Sequence, residues 1–231
     1  MLMVRETKNS KKFSGLYDLS CMYDVVSAVN MVKEMTFTKF DASVDVAIKL
    51  NVDPKKGDQM IRGTVVLPNG VGKQNRILVV CSNVDDEKVK NSGADYIGSD
   101  DILKKIESGW CDFDVLITTP DMMARVGRLG KILGPRGLMP NPKSGTITQD
   151  VEKTVKEFKI GRVEYRVDKF GVVHNSIGKV SFSNEKLVEN VRSLVSAIIK
   201  SRPSTVKGNF IESLSISSTM SRGVFVKYNA L

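Results

Sequence analysis

The sequence predicts an α/β protein of two domains, and three observations support this. Near the N-terminus, the residues from Val44 to Val52 alternate between apolar and polar, which is typical of a strand with one buried face and one face in water. In the middle, short unbroken apolar runs alternate with helical segments, which indicates a parallel sheet covered on both faces. After Gly161 the alternating pattern returns. Both ends of the chain are therefore expected to form one domain, into which the other is inserted.

The predicted domain boundaries lie near glycines in residues 68–72 and 159–162. The first domain, residues 1–68 plus 163–231, is predicted to have two layers and an antiparallel sheet. The second, residues 69–162, is predicted to be a three-layer, Rossmann-like α/β domain. Two such connections permit opening and closing of the domains as rigid bodies.

The elements of the first domain follow from the spacing of its apolar residues. Ser20 is the predicted N-cap of a helix over Met22–Met35, whose valines form one stripe. A longer amphipathic helix is predicted over Asn184–Ser201. Strands are predicted at residues 44–52, 63–67, 163–167, 171–182, 210–217 and 224–228.

The inserted domain is predicted to contain the apolar strands Ile77–Cys81 and Val115–Ile117. Polar helical segments are predicted at residues 85–91, 100–108, 121–133 and 150–158. Several of these segments begin with aspartates, whose carboxylates interact favourably with the helix dipole. The acidic clusters are therefore interpreted as helix starts and not as a catalytic site.

The distribution of charge favours a nucleic-acid partner. The chain carries 35 Lys and Arg against 26 Asp and Glu, for a net charge of +9. Residues 69–162 hold 15 basic and 13 acidic residues, which leaves 20 basic and 13 acidic residues in the two outer segments. The excess of positive charge lies outside the inserted domain. It either serves solubility alone or neutralises phosphates, and RNA or DNA is the leading specific interpretation.

An enzyme in the inserted domain is the alternative function from another class. Asn69–Gln74 is superficially similar to a phosphate loop but lacks its spacing and its hydroxyl residue. His174 is the only histidine, and no nucleophile or zinc motif surrounds it. No catalytic residue, cofactor or metal is therefore predicted, and the chain is not expected to be an enzyme.

The three cysteines and the apolar runs bear on the location of the protein. Cys21, Cys81 and Cys111 are widely spaced and lack a CxxC pair, so neither a disulfide framework nor a zinc site is expected. No apolar run approaches the roughly 20 residues of a membrane span. Residues 1–20 are polar and charged, unlike a secretion signal. A cytoplasmic location is expected.

The most distinctive stretch runs from Gly134 to Thr146 and contains three prolines and three glycines in thirteen residues. Pro140 and Pro142 fix φ and push the preceding residues toward extended conformations. The stretch is therefore predicted to be a stiff, largely extended loop that displays Arg136 and Lys143. A flexible connector is the alternative, although connectors of this length are uncommon in compact domains.

This stretch, with Leu133 in front of it, reads LGPRGLMPNPKSGT and closely resembles the signature of the ribosomal protein L one family. We call it the signature loop. Its residues that carry the resemblance are Gly134, Pro135, Arg136, Gly137, Met139, Pro140, Asn141, Pro142 and Lys143. Further matches cover nearly the whole chain: residues 39–41, 53–59, 62–68, 168–171 with His174, 177–179 and 218–220.

The resemblance implies the same two-domain arrangement and a function in the ribosome. It implies a protein, monomeric when free, that binds a folded element of large-subunit ribosomal RNA at the mobile side stalk near the tRNA exit site. There it is expected to assist the release of deacylated tRNA, with which its contact is indirect or transient. It also implies repression of translation through binding to its own messenger RNA. A purely structural ribosome component is the remaining alternative.

The first domain is expected to carry the RNA-binding surface. Its wet sheet face and loops are predicted to present one aromatic residue, five cations and four hydroxyls: Phe40, Lys39, Arg62, Lys169, Lys179, Arg222, Ser213, Ser217, Ser218 and Thr219. Cations neutralise phosphates, and hydroxyls reach ribose 2′-OH groups in a shallow minor groove. Aromatic residues make up only 6% of the chain, which favours recognition of a folded RNA shape over stacking along a single strand.

The family's RNA contacts carry over onto seven positions of this chain: Lys39, Phe40, His174, Lys179, Ser213, Thr219 and Met220. The chain departs from the family after Met220, where Ser221-Arg222 replaces the usual Gly-Pro. This departure puts a tight approach of RNA to the backbone at Ser221 in question, and Arg222 is expected to add a phosphate contact.

Overall fold

The computed structural model describes residues 13, 18, 21–82 and 92–228. Within them the chain forms a mixed α/β fold of two compact units. The first unit comprises the chain up to Ile61, Leu67–Gly72 and the chain from Tyr165 onward, and the second comprises Arg62–Val66 and Lys73–Glu164. The predicted N-cap Ser20 and the predicted helix over residues 85–91 lie outside the described residues.

The helices, in chain order, are α1 (Val25–Glu34), α2 (Asp100–Glu107), α3 (Met123–Arg128), α4 (Gly130–Leu133), α5 (Val151–Ile160) and α6 (Asn184–Lys200). The strands are β1 (Ser43–Leu50), β2 (Arg62–Val66), β3 (Ile77–Val80), β4 (Tyr96–Gly98), β5 (Val115–Thr118), β6 (Arg162–Arg166), β7 (Val172–Lys179), β8 (Ile211–Ser218) and β9 (Val224–Val226). Single 3₁₀ turns occur at Gly57–Gln59, Pro120–Met122 and Pro142–Ser144.

The first unit has the predicted two layers. Its antiparallel sheet has the strand order β7-β1-β8-β9, with β1 at the centre. The alternate residues of β1, from Val44 to Leu50, are almost completely buried. Helices α1 and α6 pack against each other and against this side of the sheet, and the side chain of Ser183 caps α6 by accepting the Lys186 N–H. The other face of the sheet remains free of helices within the described part of the unit.

The second unit has the predicted three layers. Its parallel sheet has the order β4-β3-β5, and β3 is buried on both faces. Leu78 and Val80 pack into an apolar cluster with α2, α3 and α4. Ile77 and Val79 pack into a second cluster with Val155 and Phe158 of α5. This arrangement explains the unbroken apolar runs in the sequence.

One predicted helix differs from the structure. The segment 121–133 is a 3₁₀ turn followed by two short helices, because Leu129 leaves helical geometry between them. Two glycines, Gly127 and Gly130, flank this residue, and glycine weakens a helix interior by roughly 1 kcal/mol relative to alanine. Pro120 starts the 3₁₀ turn, where its missing N–H costs nothing.

Strands β2 and β6 form a separate two-stranded sheet. The division between the units falls inside β6, after Glu164, and the whole of β2 belongs to the second unit. Elsewhere, none of the helices in the described part of the chain has the length and apolar character needed to cross a bilayer. Within the same residues, no group of three or more His, Cys, Asp or Glu side chains is placed to hold a metal ion.

Candidate nucleic-acid interface

The uncovered face of the first unit's sheet is lined mainly by small and hydroxyl-bearing side chains. We call it the wet face, and it consists of Ser43, Asp45, Ala47 and Lys49 of β1, Val172, His174 and Ser176 of β7, Ser213, Ser215 and Ser217 of β8, and the exposed Phe225 of β9, which pairs with Ser215. Cross-strand pairing places Ala47 opposite both His174 and Ser215. Because serine and alanine do not stand far above a sheet, a sugar–phosphate backbone can approach this surface closely.

Register shifts at both ends of β1 shape this face. Between Val44 and Asp45 the pairing to β7 skips Ile177, and between Lys49 and Leu50 the pairing to β8 skips Glu212. Such bulges place an extra residue in one strand and redirect its neighbours. As a result, Lys179 pairs with Ser43 at one end of the wet face, and Glu212 is exposed next to Ser213 at the other.

Two of the predicted RNA-binding residues converge on Ser43. The Lys179 ammonium donates to the Ser43 hydroxyl over 2.8 Å. The Thr219 hydroxyl accepts a hydrogen bond from the Ser43 N–H at 3.2 Å, and the Thr219 N–H donates to the Ser43 carbonyl at 3.0 Å. The structure therefore brings Lys179 and Thr219 together, and Ser43 is a member of this cluster that the sequence analysis missed.

The loop before β1 displays Lys39 and Phe40. Phe40 is 60% exposed, and Lys39 is exposed as well. The next residue, Asp41, accepts hydrogen bonds from the N–H and the hydroxyl of Ser181 at 3.1 and 2.8 Å. This anchor ties the loop to the segment between β7 and α6. It explains how a large aromatic ring is presented to solvent on a fixed backbone.

Met220 occupies an unusual backbone position. Its φ is +68°, and no other non-glycine residue of the described segments has a positive φ; this region favours glycine. The Met220 side chain is 75% exposed. Ser221 stabilises the turn, because its hydroxyl accepts the Ser218 N–H at 2.9 Å and donates to the Ser218 carbonyl at 3.2 Å. In this chain, therefore, the serine at position 221 closes the turn with its side chain.

His174 lies toward the opposite end of the wet face from Thr219. Its Nε2 is 3.8 Å from Oδ2 of Asp168, and the imidazole is largely exposed. Hydrogen bonds from the backbone N–H of Val172 and then of Phe170 lower the pKa of the Asp168 carboxyl, desolvation opposes this shift, and the neighbouring His174 and Lys49 side chains add to it. His174 and Ser213 therefore belong to the same face as Lys179 and Thr219 but are separated from them along β1.

Two predicted contributors lie away from the wet face, and a third is only half-exposed. Ser218 is buried and its hydroxyl shares a hydrogen bond with that of Thr36 at 2.7 Å, so its predicted place on the wet face is wrong: it has the opposite parity to Ser217 along the strand. Arg62 lies in the second unit and pairs with Glu164. Arg222 is half-buried beside the Met220 turn.

The signature loop belongs to the second unit and is folded on itself, which corrects the prediction of a largely extended loop. Residues 134–137 form turns, residues 138–141 are irregular, and Pro142 starts a 3₁₀ turn whose N-cap is Asn141. The Asn141 side chain accepts the Lys143 N–H at 2.8 Å, and the Asn141 backbone carbonyl accepts the hydroxyls of Ser144 and Thr146. Proline at the first position of such a turn has a suitable φ, so its rigidity favours the turn.

The far end of the loop lies against Arg162 at Gly145. The guanidinium of Arg162 bonds to Oε2 of Glu157 at 2.7 Å and to the Thr64 hydroxyl at 3.0 Å. Gly145 has a φ of +64°, and a Cβ at this position would lie 2.4 Å from Nη2 of Arg162. Arg136 and Lys143 are exposed, as predicted. The loop therefore combines a fixed backbone with two cations in solvent.

Thus a hydroxyl-lined sheet face with cations and an exposed aromatic ring at its margin defines the first unit as a candidate RNA-binding module of the α/β class. A sequence model of the Ribosomal protein L1p/L10e family matches residues 32–222. The chain belongs to this family.

Bacterial relatives match almost end to end. A protein named "Large ribosomal subunit protein uL1" from Amoebophilus asiaticus is 51% identical over 224 residues, which are 97% of this chain and 97% of the relative. Proteins of the same name are 50% identical in Bacteroides fragilis, over 96% of both chains, and in Chlorobaculum tepidum, over 95% of both. As a member of a family of ribosomal proteins, the chain is not an enzyme.

Proposed function

We propose that this protein is a constituent of the large ribosomal subunit and binds a folded element of its ribosomal RNA through the wet face of the first unit. Family membership and the names of its relatives support the assignment to the ribosome. It binds at the mobile side stalk near the tRNA exit site and assists the release of deacylated tRNA, as the resemblance implies. It is cytoplasmic and bound to ribosomes, and monomeric when free.

The observation that carries the RNA-binding proposal is the cluster around Ser43. Lys179 and Thr219 both bond to this residue at the end of a face that presents serine hydroxyls. Exposed Lys39 and Phe40 lie on the loop that leads into it. Cations position a phosphate backbone, and hydroxyls recognise the ribose 2′-OH that distinguishes RNA from DNA. Phe40 and Met220 supply apolar contact to an unstacked base or sugar.

For the two domains we propose different roles. Residues 1–68 plus 163–231 form the RNA-binding domain, and residues 69–162 form the inserted domain that carries the signature loop. The exposed Arg136 and Lys143 of that loop contact neighbouring RNA, or tRNA in the assembled ribosome. Arg62 and Arg222 are secondary phosphate contacts in this proposal, since each is partly covered.

A footprint on large-subunit ribosomal RNA tests the assignment. The full-length protein is expected to protect one structured segment, and Lys39→Ala with Lys179→Ala is expected to weaken that protection. Protection spread evenly along the RNA, or confined to a segment that the double variant protects equally well, would contradict a specific site on the wet face.

We also propose that the same surface binds the leader of the protein's own messenger RNA and represses its translation. One surface serves both RNAs if they share a folded element. Competition between the messenger leader and the ribosomal segment for the protein is the expected result. Simultaneous binding of both RNAs would contradict a shared surface.

A further inference from the structure

Another exposed aromatic residue, Phe170, lies at the end of the wet face opposite Thr219. It is 78% exposed, more than any other large hydrophobic residue in the described part of the chain. It lies in the turn between β6 and β7, next to the exposed Lys169. A single exposed hydrophobic residue is common on protein surfaces, so exposure alone does not indicate a function.

The backbone that carries Phe170 is fixed by hydrogen bonds. Oδ1 of Asp168 accepts the N–H groups of Phe170 and Val172, each at 2.8 Å. The Phe170 carbonyl accepts the Lys49 ammonium at 3.1 Å. The Gly171 carbonyl accepts the Leu50 N–H at 2.8 Å, and a Cβ on Gly171 would lie 3.1 Å from the Leu50 carbonyl oxygen. The ring is thus presented on a rigid turn, which lowers the entropic cost of using it for binding.

The charges around this turn complement RNA. Lys49 bonds to the Phe170 carbonyl and Lys169 precedes Phe170 in the chain, while the carboxylate of Asp168 is engaged within the turn itself. Glu212 offsets part of the charge of Lys49, at 3.9 Å. Between Ser43 and Lys49 the wet face measures about 20 Å along β1, at roughly 3.3 Å per residue. Phe40 and Phe170 therefore border a polar surface at its two ends.

We propose that Phe170 stacks on an unpaired nucleobase of the same RNA that the Ser43 end binds. Every base has a π-face on which an aromatic ring can stack, and folded RNA elements expose such bases in loops and bulges. Phe170 thereby extends the interface along the whole wet face, so that the protein binds the RNA both at the Ser43 end and at the Phe170 end. This inference rests on the proposed RNA-binding function.

Titration of the full-length protein with an in vitro transcript of large-subunit ribosomal RNA tests this contact. Phe170→Ala is expected to weaken binding by about 5- to 150-fold, the range typical of a lost base–aromatic stack. Phe170→Tyr is expected to stay within about threefold of the wild type, because it keeps the ring. The salt dependence is expected to be the same in all three proteins, since no charge is removed.

A matched control is Ile199→Ala, since Ile199 is 49% exposed on α6, which packs on the other side of the sheet. It is expected to bind as the wild type does. Base-specific chemical probing is expected to show one unpaired nucleotide that the wild type and Phe170→Tyr protect and Phe170→Ala leaves reactive.

Two results would overturn the stacking contact while leaving the proposed function intact. One is that the wild type binds the transcript and the Phe170→Ala variant binds it with equal affinity. The other is Phe170→Tyr binding as weakly as Phe170→Ala, since the ring would then not be what binds. Failure of the wild type itself to bind the transcript would instead reject the proposed RNA-binding function.

Discussion

On the wet face of the first unit, Ser213 and Ser217 are half-exposed, and their hydroxyls bond to no other described residue. In the signature loop of the second unit, by contrast, Ser144 and Thr146 are buried and their hydroxyls bond to Asn141. Both regions are rich in hydroxyls. In the loop the hydroxyls replace missing backbone partners and fix the chain. On the sheet, the strand pairing already satisfies the backbone. The hydroxyls of Ser43, Ser176 and Ser215 bond within the sheet, while those of Ser213 and Ser217 remain available to a ligand.

The comparison therefore predicts that changes in the loop lower the stability of the second unit, while changes on the wet face lower RNA affinity. The largest effect is expected at Gly145. Gly145→Ala combines a left-handed backbone with a contact of 2.4 Å to Arg162, and is expected to reduce the free energy of unfolding by about 2–4 kcal/mol. Denaturant titration measures this.

Gly137→Ala is the matched control in the same loop. Gly137 has a similar φ of +72°, but nothing lies within 4 Å of its added Cβ. Only the backbone strain of about 1 kcal/mol is then expected. Equal losses in the two variants would show that Arg162 moves aside at little cost, and that its close approach to Gly145 does not fix the loop.

The next effect compares cations. Lys39→Ala with Lys179→Ala is expected to lower RNA affinity on the order of 10- to 100-fold and to reduce the salt slope by roughly one unit per lost phosphate contact. Arg136→Ala with Lys143→Ala removes the same charge from the signature loop. It is expected to leave affinity for the isolated RNA element nearly unchanged and to weaken binding to assembled ribosomes.

Measuring the RNA affinities of both double variants over a range of salt concentrations shows which unit carries the primary RNA interface. A larger loss from the loop variant on the isolated RNA would transfer the primary interface to the second unit. Melting temperatures belong to the same experiment, because Lys179 also bonds to Ser43 within the protein.

The sequence predicts those features of the fold and the site that depend on neighbouring residues in the chain. The alternation of β1 has a period of two residues and is local, so the buried and wet faces are read directly from it. The parity of Ser213, Ser215 and Ser217 follows in the same way. The same alternation puts Ser218 on the buried face, so its inclusion among the surface hydroxyls is wrong. The inserted parallel sheet is likewise predicted correctly, because a strand that is buried on both faces consists of consecutive apolar residues.

The rest depends on contacts between distant residues. Asp41 fixes the Lys39–Phe40 loop through Ser181, 140 positions away, and no local pattern indicates such a pair. The two skipped residues, Ile177 and Glu212, shift register without any sequence signal. In the signature loop, the prolines predict a stiff segment of largely extended chain. The predicted extended shape of the loop is wrong, because Asn141 and Pro142 favour a 3₁₀ turn.

A smaller effect separates the hydroxyls of the two regions. Ser213→Ala is expected to cost on the order of 1–3 kcal/mol of RNA binding if its partner on the RNA is left unpaired, with no change in stability. Ser144→Ala is expected to do the reverse, with about 1 kcal/mol lost from the free energy of unfolding and unchanged RNA affinity, because its hydroxyl bonds to the Asn141 carbonyl at 3.0 Å. Calorimetry and RNA titration on both variants would reveal any crossover of these effects.

The smallest expected effect concerns charge in two similar turns. Asp168 lies in the turn before β7, and Asn141 lies in the signature loop. The side chain of each accepts a hydrogen bond from the backbone N–H two residues later, that of Phe170 and that of Lys143 respectively. Only Asp168 titrates. Its pKa is lower in the folded protein, chiefly because the Val172 N–H bonds to the carboxylate. Its contribution to stability is therefore complete above the unfolded pKa of about 3.9 and is lost as pH falls through the folded pKa.

Asp168→Asn keeps an oxygen acceptor and removes the charge. The melting temperature of the wild type is expected to exceed that of Asp168→Asn by a constant amount above about pH 5, and this difference is expected to shrink below pH 4. Asn141→Asp supplies the reciprocal test, because it introduces a titrating group into the turn of the signature loop and is expected to create a similar acid dependence there. If the wild type and Asp168→Asn differ equally at pH 3 and pH 6, the carboxylate does not act through its charge, and the two turns are equivalent.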